Sequence, residues 1–297
     1  MKMKRYMMAL LISGLGFGTA SAQLAPLGAM YFQNQYLNNP AFAGKHQGLE
    51  LDLGYRQQWS SMPGSPKIQS LTGSYAMTSR AGLGLNIYND QTGLYKRTRI
   101  MGTYAYHLPL SAGSDKLSFG VSVGLMDERV DYNILDGDID DPSTRNFNQR
   151  EKYLDGDFGV AYTSDKLNIQ ASMPNLRNTL GFNKDDDRVV NEARYFVAAS
   201  YKLRLSENQG VGLEPKVAFR SVRGFDNIFD MGANFTFVED KIGLMGMYHT
   251  NKSTSFGFIA KVSKTFDLMG VYTSNTAALA GQTNGSFEVN LKMNLFK

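Results

Sequence analysis

The 297-residue sequence has no cysteine, one tryptophan, three histidines and eight prolines. Without cysteine there is no disulfide, no thiol nucleophile and no Cys-based zinc or iron–sulfur site. His46, His107 and His249 are scattered and form neither an HxxH nor an HExxH spacing, so no metal centre is read. No GxSxG nucleophile motif occurs, and Gly82-x-Gly84 lacks the third glycine and the following helix of a dinucleotide site. No catalytic, cofactor-binding or metal residue is therefore assigned, and the chain reads as a non-enzyme. Mean hydropathy is −0.30, and the body has no apolar run of about 18 residues, which excludes a polytopic helical membrane protein.

The amino terminus carries Lys2, Lys4 and Arg5, then the apolar stretch Met7–Leu15, then Ala20-Ser21-Ala22 before Gln23. A basic head, a short apolar middle and small residues at −3 and −1 make a secretory signal peptide, with cleavage expected after Ala22. The apolar part is much shorter than the ~20 residues a membrane helix needs. Removing residues 1–22 takes away three basic side chains and leaves 28 basic against 27 acidic. A net charge near zero removes the electrostatic warrant for nucleic-acid binding.

What is abundant is Gly (30) together with Phe and Tyr (18 and 16), a composition that favours strands. Period-2 alternation recurs from residue 47 to the end. Phe287, Val289, Leu291, Met293 and Leu295 alternate with Glu288, Asn290, Lys292 and Asn294, and Leu49, Leu51, Leu53 and Tyr55 alternate with Glu50, Asp52, Gly54 and Arg56. In a strand these two sets point to opposite faces. The pattern predicts fourteen strands near 47–59, 66–78, 81–90, 95–109, 115–128, 153–163, 166–173, 193–205, 210–222, 226–238, 241–250, 253–262, 265–274 and 284–296. Most have the ~9–11 residues or slightly more that a tilted membrane strand requires. Pro215 falls inside the ninth, which predicts a bulge there or a later start.

The connections sort by length. The long ones, 129–152, 174–192 and 275–283, follow strands 5, 7 and 13 and so share one end, whereas tight turns such as Ser79-Arg80, Ser164-Asp165 and Glu239-Asp240 share the other. Outer-membrane barrels have this asymmetry, while a secreted β-sandwich has no reason to sort its loops. Hydrocarbon offers no partner for an unpaired N–H or C=O, so a spanning sheet must close on itself. The expected fold is all-β: a transmembrane antiparallel β-barrel of about fourteen strands over 47–297, behind a short periplasmic or lumen-inserted segment at 23–46. Tyr55, Trp59, Tyr104, Tyr106, Tyr248 and Tyr272 are candidates for interfacial girdles.

The lumen face is expected to carry Glu50, Asp52, Arg56, Arg97, Arg99, Lys202, Arg204, Glu214, Lys216, Arg220, Glu288 and Lys292. A selective pore favours one sign of charge, whereas a mixed set suits internal ion pairs that close the interior. The acidic run Asp136–Asp141 fails as an EF-hand, with Asp141 where Gly is needed and Phe147 where the bidentate Glu belongs. It reads as a solvated loop, with a looser extracellular Ca²⁺ or lipopolysaccharide-bridging site as the alternative, and Asp185-Asp186-Asp187 reads as a solvated acidic tip open to a partner.

More specific marks lie in residues 31–110: Asn39-Pro40-Ala41 with Gly44, Arg56-Gln57-Gln58-Trp59, Gly82 and Gly84 with Asp90 and Gly93, and Tyr104-Ala105-Tyr106. Asp157-Phe158-Gly159-Val160 and Gly285-Ser286-Phe287-Glu288 extend the set along the chain. In these marks the sequence resembles the PorP/SprF family of Bacteroidota outer-membrane proteins, and it departs from that family at Phe287, where a His is expected. The resemblance implies an outer-membrane barrel of the type IX secretion and gliding machinery that docks or gates export and surface anchoring of large adhesins. Implied partners are outer-membrane lipid, periplasmic ring proteins, a peptidoglycan-associating lipoprotein, the outer-membrane translocon and adhesin carboxy-terminal domains. The interaction candidates are Asn39, Pro40, Ala41, Gly44, Arg56, Gln58, Trp59, Asp90 and Gly93.

Read by itself, Asn39-Pro40-Ala41 is either a segment held in a defined bend, as in a plug, or an ordinary turn before the first strand. Arg56 is expected to face the lumen and Trp59 the outer rim. A fatty-acid-transporter-like barrel also has fourteen strands and an Asn-Pro-Ala segment, but it calls for an apolar lumen pocket, which the mixed charges oppose. A purely adhesive barrel would act through loops 129–152 and 174–192.

Overall fold

The computed structural model describes residues 30–111, 113–131, 147–148, 151–181, 193–206, 210–222, 226–274 and 283–296. The expected leader at 1–22 and the acidic runs at 136–141 and 185–187 lie outside these residues.

Strands β1 (Leu49–Gln58), β2 (Lys67–Ala76), β3 (Ala81–Thr92), β4 (Tyr95–Pro109), β5 (Lys116–Val130), β6 (Tyr153–Thr163) and β7 (Leu167–Met173) form the first half of one sheet. β8 is interrupted at Lys202 and comprises Ala193–Tyr201 and Leu203–Ser206. The series continues with β9 (Val211–Val222), β10 (Ile228–Phe237), β11 (Ile242–His249), β12 (Ser253–Lys261), β13 (Phe266–Thr273) and β14 (Ser286–Leu295). Each strand pairs antiparallel with the next, and β14 pairs back onto β1 from Leu49↔Leu295 to Gln58↔Ser286. The result is a closed fourteen-stranded barrel, with every strand bound within two residues of the sequence expectation.

Alternation decides which face meets lipid. Along β5, Phe119, Val121, Val123 and Leu125 are exposed while Ser118, Gly120 and Ser122 are buried; Val123 is 58% exposed and Ser122 3%. This inverts a soluble protein, and it is the stable arrangement when the surrounding solvent is hydrocarbon. A Lys or Arg on the outer face at mid-membrane would cost about 2–4 kcal/mol. Tyr55, Tyr104, Tyr106, Tyr248 and Tyr272 all point outward.

The base of the barrel is the end where Leu49 meets Leu295, and the rim is the opposite end, where Gln58 meets Ser286. The three long connections, β5–β6, β7–β8 and β13–β14, all leave from the rim. Trp59 follows β1 there in a left-handed conformation, φ 50°, and its N–H donates to the Gly285 carbonyl at 2.7 Å.

One expectation is corrected. Pro215 sits within β9, in register with Ala233 of β10, and neither a bulge at that residue nor a later start occurs. Pairing to β8 lapses instead opposite Pro215, between the Lys216↔Ser200 and Leu213↔Leu203 pairs. The neighbouring strand breaks where proline has no N–H to offer. Lys202 and Arg204 keep the lumen-side parity of buried Ser200 and are exposed at the base end of β8 beside that break.

Candidate functional site

Residues 30–44 lie inside the barrel and form its core. Asn34 caps the short helix α1 (Gln35–Asn38), its side chain accepting from Leu37 N–H at 3.0 Å. Asn39 then caps a 3-10 turn over Pro40–Phe42, accepting from Ala41 N–H at 2.9 Å, with Pro40 in the first helical position. Asn as cap and Pro as first residue are the local chemistry that such a compact bend requires. Gly44 ends the bend at φ +66°.

The segment touches wall after wall. The Asn39 amide donates to the carbonyls of Val160 and Ala171, each at 3.2 Å, bridging β6 and β7. Ser172 donates to Asn38 O at 2.6 Å, and Tyr36 Oη donates to Thr103 Oγ1 at 2.8 Å. His107 Nε2 bonds the Ala43 carbonyl at 3.0 Å; a carbonyl can only accept, so Nε2 carries the proton. Two lysines reach inward to carbonyls of the segment: Lys216 to Tyr31 O and Lys292 to Gln33 O, both at 2.6 Å. Each such bond contributes a net ~0.5–1.5 kcal/mol, more where the donor is charged.

The fit depends on wall glycines. A Cβ on Gly120 would lie 2.2 Å from Pro40 C, and one on Gly159 would lie 2.0 Å from Asn39 Oδ1. At the base, a Cβ on Gly82 would lie 2.1 Å from Ala43 O. Lumen-facing glycines thus make a saddle that lets one backbone approach another. Beside it Tyr36, Phe42 and Ala43 pack with Ala105 and Ala161. Across the lumen Tyr31 stacks on Phe196, centroids 6.0 Å apart, and Phe32 packs against Met245, Met269 and Val271.

Burial raises the Tyr31 hydroxyl well above its ordinary pKa, so it stays neutral and donates a hydrogen bond to Asp230 Oδ2 at 2.9 Å. Lys45 moves the other way: burial, then repulsion from Lys202, pushes it down to about 8.

Asp230 centres a buried network. Arg220 grips it with Nε to Oδ2 at 2.7 Å and Nη2 to Oδ1 at 2.8 Å, and His249 Nδ1 meets Oδ1 at 2.5 Å. His249 Nε2 lies 2.8 Å from Ser255 Oγ, so serine, histidine and aspartate stand in the order of a hydrolase triad. Ser255 is 0% exposed and its Oγ also meets Thr273 Oγ1 at 2.7 Å. The array therefore gives substrate no approach to the nucleophile and serves to anchor Tyr31.

A second set forms a lateral belt rimward of the segment. Cross-strand register runs Glu288, Arg56, Ile68, Asp90, Arg97, Glu128 around the wall. Arg97 Nε pairs with Glu128 Oε1 at 3.0 Å, and Arg99, one pleat basal, pairs with Asp157.

A family model described as "Type IX secretion system membrane protein PorP/SprF" matches residues 20–293. The chain belongs to the PorP/SprF family. No curated protein matches this PorP/SprF chain. Among solved structures, the outer membrane protein Omp33 of Acinetobacter baumannii is similar at 8% identity, with 84% of this chain and 100% of that chain covered and a TM-score of 0.48. The KdgM porin in complex with disordered oligogalacturonate is 10% identical, covering 83% of this chain and 99% of that chain at a TM-score of 0.39. A triple mutant of the Rhodopseudomonas blastica porin is 9% identical, covering 84% of this chain and 99% of that chain at a TM-score of 0.36.

Within this PorP/SprF barrel the candidate residues fall into three places. Asn39, Pro40, Ala41 and Gly44 are together in the buried bend. Arg56 and Asp90 are brought together in the belt, two strands apart. Gln58, Trp59 and Gly93 are at the rim; Gly93 closes the β3–β4 turn at φ +57°, its N–H bonded to Gly64 O at 2.9 Å. Not singled out from sequence were Gly120, Asp230 and Tyr31, and His107 was weighed only as a metal ligand. Glycine on the lumen face of a long strand is the signal that locates the first of these.

Proposed function

We propose that this outer-membrane type IX secretion protein works as a closed docking barrel, not as a conduit, and that it supports export and surface anchoring of large adhesin-type cargo. The observation that carries this reading is the lumen itself: residues 30–44 fill it, bonded to wall side chains and carbonyls from β2 to β14. A conducting channel needs a continuous wet path and a lining of consistent polarity. The belt of alternating charge and the glycine saddle instead favour a sealed interior. In this reading residues 1–22 are cleaved after Ala22, the base faces the periplasmic ring proteins and the peptidoglycan-associating lipoprotein, and the rim faces outward toward the translocon and its cargo. A fatty-acid-transporter-like role is disfavoured, because the space left in the lumen, although lined in part by Leu37, Tyr88 and Met126, also carries Arg97, Arg99, Asp90 and Asp157. Gentle detergent extraction from the native membrane, followed by identification of co-purifying proteins, tests the proposal. It expects secretion-system components with the barrel, and loss of adhesin display in a deletion strain. Recovery of the barrel alone, with normal surface display and movement without it, overturns the proposal.

A further inference from the structure

Near the rim, the outward face of the barrel is divided in two. β8 and β10–β14 each present an outward aromatic there: Tyr195, Phe229, Tyr248, Phe256, Tyr272 and Phe287. Such rings form the interfacial girdle of a membrane barrel. On β2–β5 the girdle is replaced. Cross-strand register sets three outward rows on these strands, and the first is apolar: Leu71, Ile87, Ile100 and Leu125. Gln69, Asn89, Thr98 and Asp127 follow, and Lys67, Gln91, Lys96 and Arg129 are outermost. The face turns from apolar to polar to basic within four residues of each strand.

The cations are open to a ligand. Lys67, Lys96 and Arg129 are all exposed, with 56% of the Arg129 side chain accessible. Lys96 and Arg129 stand directly opposite on adjacent strands, and like charges so placed destabilise an antiparallel pair. The one acid in these rows, Asp127, is already engaged: Oδ1 accepts from Arg129 Nε at 2.9 Å, and Oδ2 lies 3.7 Å from Lys152 Nζ. The ammonium groups of Lys67 and Lys96 have no hydrogen-bond or ion-pair partner among the described residues. An external anion relieves this repulsion.

Depth decides which anion. Two residues of a strand tilted by 35–45° rise about 5 Å along the membrane normal. The cations therefore stand about 10 Å beyond the last apolar side chain of their own strands, within side-chain reach of a headgroup layer about 5–8 Å deep. A soluble anion gains nothing from the apolar row beneath, and an acidic protein would have to displace lipid to cover the middle row. A lipid with a net negative headgroup uses all three rows. In the outer leaflet of an outer membrane that charge is the phosphate of lipid A.

Taking the rim as the outward end, as in the orientation proposed above, we propose that this face binds the phosphorylated headgroup of lipid A. Lys67, Lys96 and Arg129 meet its phosphate, and the apolar row meets its acyl chains. The full barrel in non-ionic detergent is titrated with lipid A and read by native mass spectrometry. Dephosphorylated lipid A, phosphatidylethanolamine, inorganic phosphate and a polyglutamate peptide are the comparison probes. Lipid A is expected to bind most tightly, with Lys67→Gln, Lys96→Gln and Arg129→Gln each weakening it about fivefold. Lys264→Gln, in an exposed turn at the base, leaves affinity unchanged. Variants are compared only where unheated electrophoretic mobility shows a folded barrel. On the unaltered protein, lipid A is expected to shield Lys67 and Lys96 from acetylation while Lys264 still reacts. Equal binding of dephosphorylated lipid A or phosphatidylethanolamine, displacement by equimolar inorganic phosphate, preference for polyglutamate, unchanged affinity in all three variants, or unshielded lysines would overturn the proposal. Co-purification of secretion components reads the docking role separately and does not depend on this site.

Discussion

Placing one methyl group on Gly120 should unseat the segment that fills the lumen. The new Cβ would stand 2.2 Å from Pro40 C, 2.3 Å from Ala41 N and 2.4 Å from Pro40 O. Carbon atoms rest about 3.5–4.0 Å apart, so the bend must retreat by more than an ångström. It has no slack for that. Asn39 is tied to Val160 and Ala171, and Ala43 to His107, by bonds of 3.0–3.2 Å that such a shift breaks. Losing them costs on the order of 2–4 kcal/mol, a 30- to 1,000-fold change in the seated population. Because the chain has no cysteine, Ala43→Cys gives a single reporter at a position 0% exposed. In folded barrels this thiol should resist maleimide, and it should label readily once Gly120→Ala is added. Gly102→Ala is the control, since a Cβ there meets nothing nearer than Val123 O at 3.9 Å. Continued protection with Gly120→Ala, or equal labelling with Gly102→Ala, would refute the reasoning.

Other consequences follow from neighbouring contacts. Asn39→Ala removes the cap on Ala41 and both wall bonds, and should cost about 1–3 kcal/mol, read as a lower temperature for loss of heat-modifiable mobility. Asp230→Ala leaves the buried Arg220 uncompensated and should destabilise the barrel by about 3–5 kcal/mol in the same measurement. Ser255→Ala should leave secretion intact, and a fluorophosphonate should fail to label the native barrel, because Ser255 is 0% exposed. Lys45 titrates near 8 when seated and near 10.5 when released. Between those values the released segment holds a proton that the seated one lacks, so seating should tighten as pH rises from 8 to 10.5 and be level below 8. Proteolysis of the segment against pH reads this out, and Lys45→Gln should flatten the profile.

The barrel was legible because its physics is local. Alternation along β1 and β14 assigns each side chain a face, and lipid outside forces the apolar set outward, so strand count and loop sorting followed from pattern alone. The belt was half legible: Arg56 and Arg97 could be placed in the lumen, but their meeting with Asp90 depends on register across separate strands. The cradle was less so. Asn39-Pro40-Ala41 showed a bend, yet whether it lay in the lumen or before the first strand turned on contacts such as Asn39 to Ala171, 132 residues apart. Gly82 and Gly84 were weighed against a nucleotide motif and counted among the family marks, whereas their place on a lumen face is what makes room for Ala43 and Tyr36. Pro215 misled because its strand tolerates it and the neighbour, β8, yields instead.

Conductance in a planar lipid bilayer tests the sealed lumen most directly. The native chain should insert without a steady current, and deletion of residues 30–44 should open a stable channel in a barrel that still shows folded mobility. Porin-like currents from the native chain, or identical silence from the folded deletion, would contradict the account.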